Sequence, residues 1–175
     1  MKAFVFRKYG PPDVLELREV RTPTPKDDEL LIRVHAASVN DWHWCLVRGK
    51  PFFIRMLSGL PKPRITIPGV DIAGRVETVG RRVKRIQPGD EVYGDLSECG
   101  FGGFAEYVCA DENALTLKPA SMTFIEAAAI PHAAMPAVQG LRDMGRIQPG
   151  QKVLINGAGG GVGFFWRTDR QTNRG

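Results

Sequence analysis

A glycine-rich run near the end of the sequence constrains the fold more than any other feature. Residues 152–156 (Lys-Val-Leu-Ile-Asn) have the apolar, β-branched character of a buried strand. Seven residues follow directly: Gly157, Ala158, Gly159, Gly160, Gly161, Val162 and Gly163. Glycines placed after such a strand let backbone N–H groups approach a pyrophosphate, toward which the next helix directs its positive end. The pattern therefore predicts the first strand and the phosphate-binding turn of a dinucleotide-binding domain.

The residues after this turn do not continue the expected pattern. Phe164, Phe165 and Trp166 are followed by a polar tail, 167–175, that has no apolar stripe to pack against a sheet. The sequence therefore predicts no recognisable helix there. A doubly wound sheet needs several parallel strands covered on both faces, so we expect only a truncated piece of this domain.

The first hundred residues have the alternating pattern of β-strands. In residues 30–36 the apolar side chains fall at every second position, and in 70–77 the pattern puts Asp71, Arg75 and Glu77 opposite the apolar face. Glycine and proline pairs separate many short strands, which favours a closed barrel or a sandwich. The predicted core includes Phe4, Leu30, Ile32, Val34, Ile72, Val76 and Val108.

Helical signals begin near residue 121. Thr123 and Glu126 have the spacing of a capping box before an alanine-rich stretch, and Pro131 is expected to end or kink that helix. Pro136 then fits the first turn of another helix. We place a domain boundary near residue 120, which gives a first domain over 1–120 and a second over 121–175.

Composition narrows the class of protein. The 175-residue chain has a net charge of +5, and its basic cluster at 81–85 contains no aromatic residue, so a nucleic-acid partner is not expected. Its three cysteines, Cys45, Cys99 and Cys109, lack C-x-x-C spacing, which fits a reducing compartment without disulfides. No apolar run has the length of a signal peptide or membrane span, so we expect a cytoplasmic protein with no membrane partner.

Four stretches in a fixed order resemble the medium-chain dehydrogenase/reductase superfamily, specifically its zinc-independent quinone-oxidoreductase-like branch. The first is the glycine-spaced Gly-Val-Asp-Ile-Ala-Gly of 69–74, and the last is the turn at 157–163. Between them lie Pro-Gly-Asp-Glu-Val at 88–92 and Gly-Phe-Ala-Glu-Tyr-Val at 103–108. The ordered set is far more specific than a glycine turn alone.

The resemblance implies a mainly β, α+β fold. A GroES-like β-barrel domain would be followed by the first helices, strand and Gly-rich turn of a Rossmann domain. It implies an oxidoreductase that uses NADP, or less often NAD, to deliver hydride to a small-molecule quinone, enone or related carbonyl substrate. A homodimer is possible for the full-length parent.

The same resemblance argues against zinc. The first zinc ligand of alcohol dehydrogenases in this superfamily is a cysteine, where this chain has Asn40, and their histidine ligand corresponds to Val70. Valine cannot bind a metal and an amide is a poor zinc ligand. His43 and Cys45, two residues apart, make no site by themselves. No metal is therefore expected.

Without a metal, a carbonyl is polarised by hydrogen-bond donors. The resemblance makes Asn40 a catalytic residue that also borders the nicotinamide, although its amide has the alternative of fixing the loop after residues 30–36. His43 is a second catalytic candidate, as a proton donor, although it stands where relatives more often carry Asp. The cofactor-binding residues are Asn40 and the turn of Gly157, Ala158, Gly159, Gly160, Gly161, Val162 and Gly163.

Two hypotheses remain open at this point. One is an NAD(P)H-dependent reductase whose activity is absent or slight in this truncated chain, because the residues that bind the ribose lie beyond the first strand of the fold. The other is a non-catalytic remnant, in which the barrel domain binds a ligand or a partner.

Overall fold

A computed structural model describes residues 1–148 and 150–165 of the chain. The chain divides into two compact units, Met1–Ala129 and Ile130–Gly175. Each unit has its own architecture and is described by itself below.

The first unit is built on a five-stranded antiparallel sheet of order β6-β3-β4-β5-β7, with a separate two-stranded ribbon of β1 and β2. Its strands are β1 (Lys2–Val5), β2 (Glu16–Glu19), β3 (Glu29–Ala37), β4 (Asp71–Val79), β5 (Glu91–Asp95), β6 (Tyr107–Asp111) and β7 (Leu115–Leu117). The predicted strands are present, but among the described residues the sheet has two edges, β6 and β7. A closed barrel was therefore too strict a prediction: β1 reaches the region before β6 through a single bridge, Ala3 to Ala105, which does not extend into a ladder.

The main hydrophobic core lies on the inward face of this sheet. It consists of Leu30, Ile32, Ile72, Val76, Ile86, Val92, Leu96, Val108, Ala110 and Leu115. Val34 is partly buried against it, so the alternation in the sequence predicted the inward face of β3 correctly. Phe4 was predicted wrongly and is 47% exposed. The inward positions of β1 are Ala3 and Val5, because the register of the ribbon turns Phe4 to its other side.

Two helices, α1 (Asp41–Arg48) and α2 (Phe53–Ser58), connect β3 to β4. The buried side of α1 packs in a second cluster, and this cluster ties the helix to the segments that flank β1 and β4. Its buried members are Phe6, Leu46, Val47, Val70 and Phe101.

Helix α3 (Phe124–Ala128) completes the first unit. The predicted capping box is present: the Thr123 side chain accepts from the backbone N–H of Glu126 at 3.2 Å, and the Glu126 carboxylate accepts from the backbone N–H of Thr123 at 2.8 Å. Ala127 and Ala128 are buried against Ala73 of β4, because only small side chains allow the helix to approach the sheet this closely.

The second unit contains α4 (Pro131–Val138) and a wide helical turn, Gln139–Met144. Residues 151–155 are not in a strand, which corrects the predicted buried strand at 152–156, and Leu154 is 95% exposed. A parallel strand needs neighbours to accept its hydrogen bonds and helices to cover its faces, and the described residues supply no such neighbour.

A helical turn begins within the glycine run, at residues 161–165, where the sequence predicted none. The backbone N–H of Phe164 donates to the carbonyl of Gly160 at 3.0 Å, and the rings of Phe164 and Phe165 contact edge to face. Local hydrogen bonding therefore begins a helix without the apolar stripe that we expected it to need. The polar tail and Trp166 lie outside the described residues.

Candidate functional site

Asn40 lies between the end of β3 and the start of α1, and its side chain caps this helix. Its backbone is extended, with φ of −133° and ψ of 177°, and its Oδ1 accepts from the backbone N–H of Trp42 at 3.1 Å. An asparagine in this position satisfies a backbone N–H that the first turn of a helix leaves without a partner. The amide oxygen of Asn40 is therefore committed to the protein.

The amide nitrogen of Asn40 is held by Asp71, the first residue of β4. Asn40 Nδ2 donates to Asp71 Oδ2 at 3.2 Å, and the Ser38 hydroxyl donates to the same oxygen at 2.6 Å. The backbone N–H of Ser38 also donates to the Asp71 carbonyl at 3.3 Å. An amide nitrogen carries two hydrogens. The Asn40 oxygen accepts from α1 and one Nδ2 hydrogen is donated to Asp71, so the second Nδ2 hydrogen remains and its direction is fixed. Asn40 is only partly buried, which leaves it accessible to a ligand.

Asp71 is the residue of this group whose burial the sequence analysis did not predict. It was expected on the face opposite the core with Arg75 and Glu77, but it is only 3% exposed. The first position of β4 lies beside the end of β3, where Ser38 and Asn40 supply donors that stabilise a buried carboxylate. The feature of the sequence that could have indicated this burial is an acidic residue inside the otherwise apolar segment Val-Asp-Ile-Ala.

His43 is brought next to Asn40, but in the interior of the protein. It is 4% exposed, and its ring lies 4.7 Å from the ring of Phe104. Its Nδ1 is 3.1 Å from the backbone N–H of Asn40, and its Nε2 is 2.9 Å from the backbone N–H of Val70. A neutral imidazole has one acceptor nitrogen and one N–H, so only one of these two backbone N–H groups can donate to the ring, while the other lies against it. This geometry joins the loop before α1 to the start of β4.

The two tryptophans of α1 have different environments. Trp42 stacks on Phe101 with ring centroids 6.4 Å apart, which makes it part of the second cluster. Trp44 is half exposed, and the Arg48 guanidinium lies 4.3 Å from its ring centre. Neither side chain carries a group for acid–base chemistry.

The glycine turn lies in the second unit, and its backbone fits the role that its sequence predicts. Gly157 has φ of +78°, a conformation that glycine adopts without strain. A Cβ on Gly163 would lie 2.5 Å from the Cα of Ala158, so only glycine allows residues 161–165 to start this close to the turn. Around Gly159 nothing lies within 4 Å of a Cβ position, which leaves the backbone open to an approaching phosphate. The turn therefore fits a pyrophosphate.

The predicted site residues thus form two groups. Asn40 and His43 are joined within the first unit, together with Asp71 and Ser38, which the sequence analysis missed. Gly157, Ala158, Gly159, Gly160, Gly161, Val162 and Gly163 form the turn of the second unit. In residues 1–148 and 150–165 there is no group of three or more His, Cys, Asp or Glu side chains arranged to hold a metal ion. Over the same range, no helix is long and apolar enough to cross a membrane.

Residues 26–120 match the family described as the alcohol dehydrogenase GroES-like domain. Over 170 residues the chain is 39% identical to 2-methylene-furan-3-one reductase of Solanum lycopersicum, a match that covers 93% of this chain and 42% of that protein.

Two solved structures show the same similarity. The structure of the quinone oxidoreductase from Coxiella burnetii is matched with a TM-score of 0.86 and 33% identity, over 98% of this chain and 53% of that one. The Escherichia coli quinone oxidoreductase complexed with NADPH is matched with a TM-score of 0.83 and 26% identity, over 98% of this chain and 50% of that one.

The chain thus spans about half the length of the proteins that it matches. The family match extends over more than half of the chain, and the relatives are named as quinone and enone reductases. The chain belongs to the medium-chain dehydrogenase/reductase superfamily, in its quinone-oxidoreductase-like branch.

Proposed function

We propose that the protein is a zinc-independent, NAD(P)H-dependent reductase of quinones or α,β-unsaturated carbonyl compounds. In this proposal the 175-residue chain carries the substrate-binding domain and the phosphate turn of the cofactor domain. The observation that carries it is the fixed amide of Asn40, which has one N–H left for a ligand after α1 and Asp71 have taken its other groups. The names of the relatives supply the substrate class and the cofactor class.

In the reaction, NADPH or NADH would supply a hydride to an electrophilic carbon of the substrate. Asn40 Nδ2–H would donate to the substrate carbonyl oxygen and stabilise the negative charge that develops there as the hydride arrives. Such preorganised donors contribute about 10²–10³ in rate when they act on a developing oxyanion. A proton from solvent then completes the reduction.

Asn40 and Val70 also support the absence of zinc from this site. They stand at the two positions where zinc-dependent members of the superfamily have ligands, and Val70 is fully buried with its backbone N–H directed at His43. Elemental analysis of protein purified without chelator tests this part of the proposal. One tightly held zinc ion per chain would contradict it.

For His43 the geometry favours a positioning role over the proton donation that the sequence analysis considered. Its ring is buried and faces two backbone N–H groups. A histidine held in this way fixes the backbone of Asn40 rather than reaching a substrate. The cytoplasmic location and the substrate's identity stay predictions.

The role of Asn40 can be tested without the cofactor. On addition of 9,10-phenanthrenequinone, the side-chain amide NMR signals of Asn40 should shift, because a carbonyl would accept from Nδ2–H. The signals of Asn113, an exposed asparagine outside the site, serve as the control and should not shift. Asn40→Ala should weaken binding of the quinone by about tenfold, the value of one hydrogen bond of ordinary strength. Equal shifts at both residues would contradict the proposal.

The second hypothesis, a non-catalytic remnant, is favoured by one observation. Residues 151–155 do not pair as a strand, so the described part of the second unit supplies a phosphate turn without a sheet behind it. Absence of the quinone-induced shift at Asn40 would support this hypothesis over the reductase, since the 175-residue chain is expected to bind little NADPH under either one.

A further inference from the structure

Helix α2 presents apolar side chains on the face that the protein leaves uncovered. Ile54 and Ser58 are buried, whereas Phe53, Met56 and Leu57 are 53%, 69% and 72% exposed. Residues spaced by three and four share one face of a helix. A surface helix normally has polar residues on that face, and a helix that is apolar all round is normally covered. The apolar side chains on the outward face of α2 are therefore exposed, with no other part of the described chain packed over them.

Two residues beside the helix extend this face. Phe52 is 62% exposed and Leu60 is 54% exposed. We call Phe52, Phe53, Met56, Leu57 and Leu60 the α2 patch. Single exposed apolar residues are ordinary on protein surfaces, but here five large ones lie within nine consecutive residues, and such a concentration of exposed apolar side chains marks an interaction site.

The segment that carries the α2 patch is also exclusively basic. Between Asp41 and Asp71 the sequence contains no acidic residue and five basic ones, Arg48, Lys50, Arg55, Lys62 and Arg64. These five charges equal the formal net charge of the whole chain, +5. The charge balance of the rest of the chain is therefore neutral.

None of these five cations forms an ion pair with the residues that the structure describes. Arg48 lies on Trp44, and Arg55 lies over Tyr9 and donates to the Gly49 carbonyl. Lys50, Lys62 and Arg64 are exposed. By contrast, Arg81 and Arg82 of the other basic cluster pair with Asp27 and Asp28.

We propose that the α2 patch is a docking surface for a membrane rich in anionic lipid. Apolar side chains that stand out among unpaired cations are the combination that interfacial segments use: the apolar groups enter the boundary of the acyl chains, and Lys and Arg contact the headgroups. Charge complementarity selects an anionic surface as the occupant. This inference is independent of the proposed reductase function.

The expectation of no membrane partner rested on the absence of a spanning segment in the sequence. A peripheral contact requires none, because the helix lies in the plane of the interface. The α2 patch therefore replaces that expectation with a specific surface.

The test is flotation of the full 175-residue chain with vesicles, compared with the chain alone. The chain should float with phosphatidylcholine vesicles that contain phosphatidylglycerol and remain behind with pure phosphatidylcholine. Added salt should weaken the binding, because it screens the headgroup attraction. Lys50→Glu together with Lys62→Glu should reduce binding by at least about tenfold, since each cation near an anionic surface contributes about fivefold.

Two matched variants separate the α2 patch from general properties of the chain. Arg81→Glu with Arg82→Glu makes the same change of charge on the ion-paired cluster and should leave binding nearly intact. Phe53→Ser with Leu57→Ser should reduce binding, whereas Leu17→Ser with Leu117→Ser, at residues 58% and 54% exposed elsewhere, should not. The fold of each variant is checked by its far-UV circular dichroism.

Four outcomes would overturn the proposal. They are no flotation with anionic vesicles, equal binding to neutral vesicles, an equal loss in the control variants, and self-association that covers the patch. The last would appear in light scattering as a dimer that Phe53→Ser with Leu57→Ser dissociates. If the first of these outcomes is accompanied by binding of an acidic protein to the patch, that protein replaces the lipid as the occupant.

Discussion

Asp71 is the residue on which the geometry around Asn40 depends most. Its buried carboxylate accepts from the Ser38 hydroxyl and from Asn40 Nδ2, and these donors would face an empty space if the carboxylate were removed. A buried donor without a partner costs more than the net value of the hydrogen bond that it loses. The orientation of the Asn40 amide is therefore coupled to the start of β4.

Asp71→Ala should lower the free energy of unfolding by about 2–3 kcal/mol, because two donors lose a charged acceptor. Asp71→Asn should lower it less, since its amide oxygen can take the place of Oδ2, the one oxygen to which both donors bind. Urea denaturation followed by circular dichroism measures both. Asp13→Ala, at an exposed residue of the first unit, should change the value by less than about 0.5 kcal/mol, and an equal loss in that control would contradict the account.

Cys109 should be unreactive at neutral pH. Burial, and then the charge of Glu29, raise the pKa of its thiol to about 11, so the unfolded chain loses this proton more readily than the folded one. The contribution of Cys109 to stability is therefore present below about pH 9 and is lost as pH rises toward 11. Alkylation by iodoacetamide, followed by mass spectrometry across pH, should show an inflection near the raised value. An inflection at the pKa of an ordinary thiol would contradict this prediction.

For individual residues, roles that depend on neighbours in the sequence could be predicted, whereas contacts between distant parts of the chain could not. Asn40 was singled out through the family resemblance, and the glycines because a tight turn before a helix requires that residue type at fixed spacings. The burial of Asp71 depends on how the start of β4 lies beside Asn40, 31 residues away in the sequence. The contact of His43 with Val70 depends on the same arrangement.

Among the elements, α3 is short enough to depend on its cap. It has five residues, Phe124–Ala128, and a helix of this length has little stability of its own. The capping box of Thr123 and Glu126 and the packing of Ala127 on Ala73 together hold it to the sheet.

Thr123→Ala should lower the free energy of unfolding by about 1 kcal/mol, the usual value of an N-cap. Thr123→Ser retains the hydroxyl and should lie close to the unmodified chain. Thermal or urea denaturation measures the difference. If the two variants were equally stable, the cap would not be what holds α3.

Stability should also fall in acid through Glu126. The backbone N–H of Thr123, and then its hydroxyl, lower the pKa of the Glu126 carboxyl below its ordinary value. A lowered pKa gives a contribution that is present above about pH 4.5 and is lost as pH falls through the folded-state value. Glu126→Gln should therefore flatten this part of the stability profile, measured by urea denaturation between neutral and acidic pH. An unchanged profile would contradict the assignment.

The strands also show which patterns in the sequence were sufficient to predict secondary structure. Alternation predicted the inward faces of β3 and β4, because one face of each strand packs on a core. The same type of pattern predicted a strand at 152–156 that does not form, since apolar character alone gives a strand no partner and the described residues contain no strand that pairs with it.

The molecule consists of a first unit built on a β-sheet and a second unit of different architecture. The first unit has a continuous core and a fixed group of polar residues around Asn40. The second offers a phosphate turn, whereas the residues that bind adenine and ribose in a dinucleotide fold follow later strands. The assignment to a class of reductases thus rests on the family. Whether this 175-residue chain binds the cofactor is a separate question.

Titration of the purified 175-residue chain with NADPH tests this account most directly. The turn at Gly157 and Gly163 can offer backbone N–H groups to a pyrophosphate, but the described residues provide no sheet for the rest of the cofactor. We predict no saturable binding in the micromolar range and little or no turnover of a simple quinone. Micromolar binding of NADPH followed by steady turnover would contradict the account.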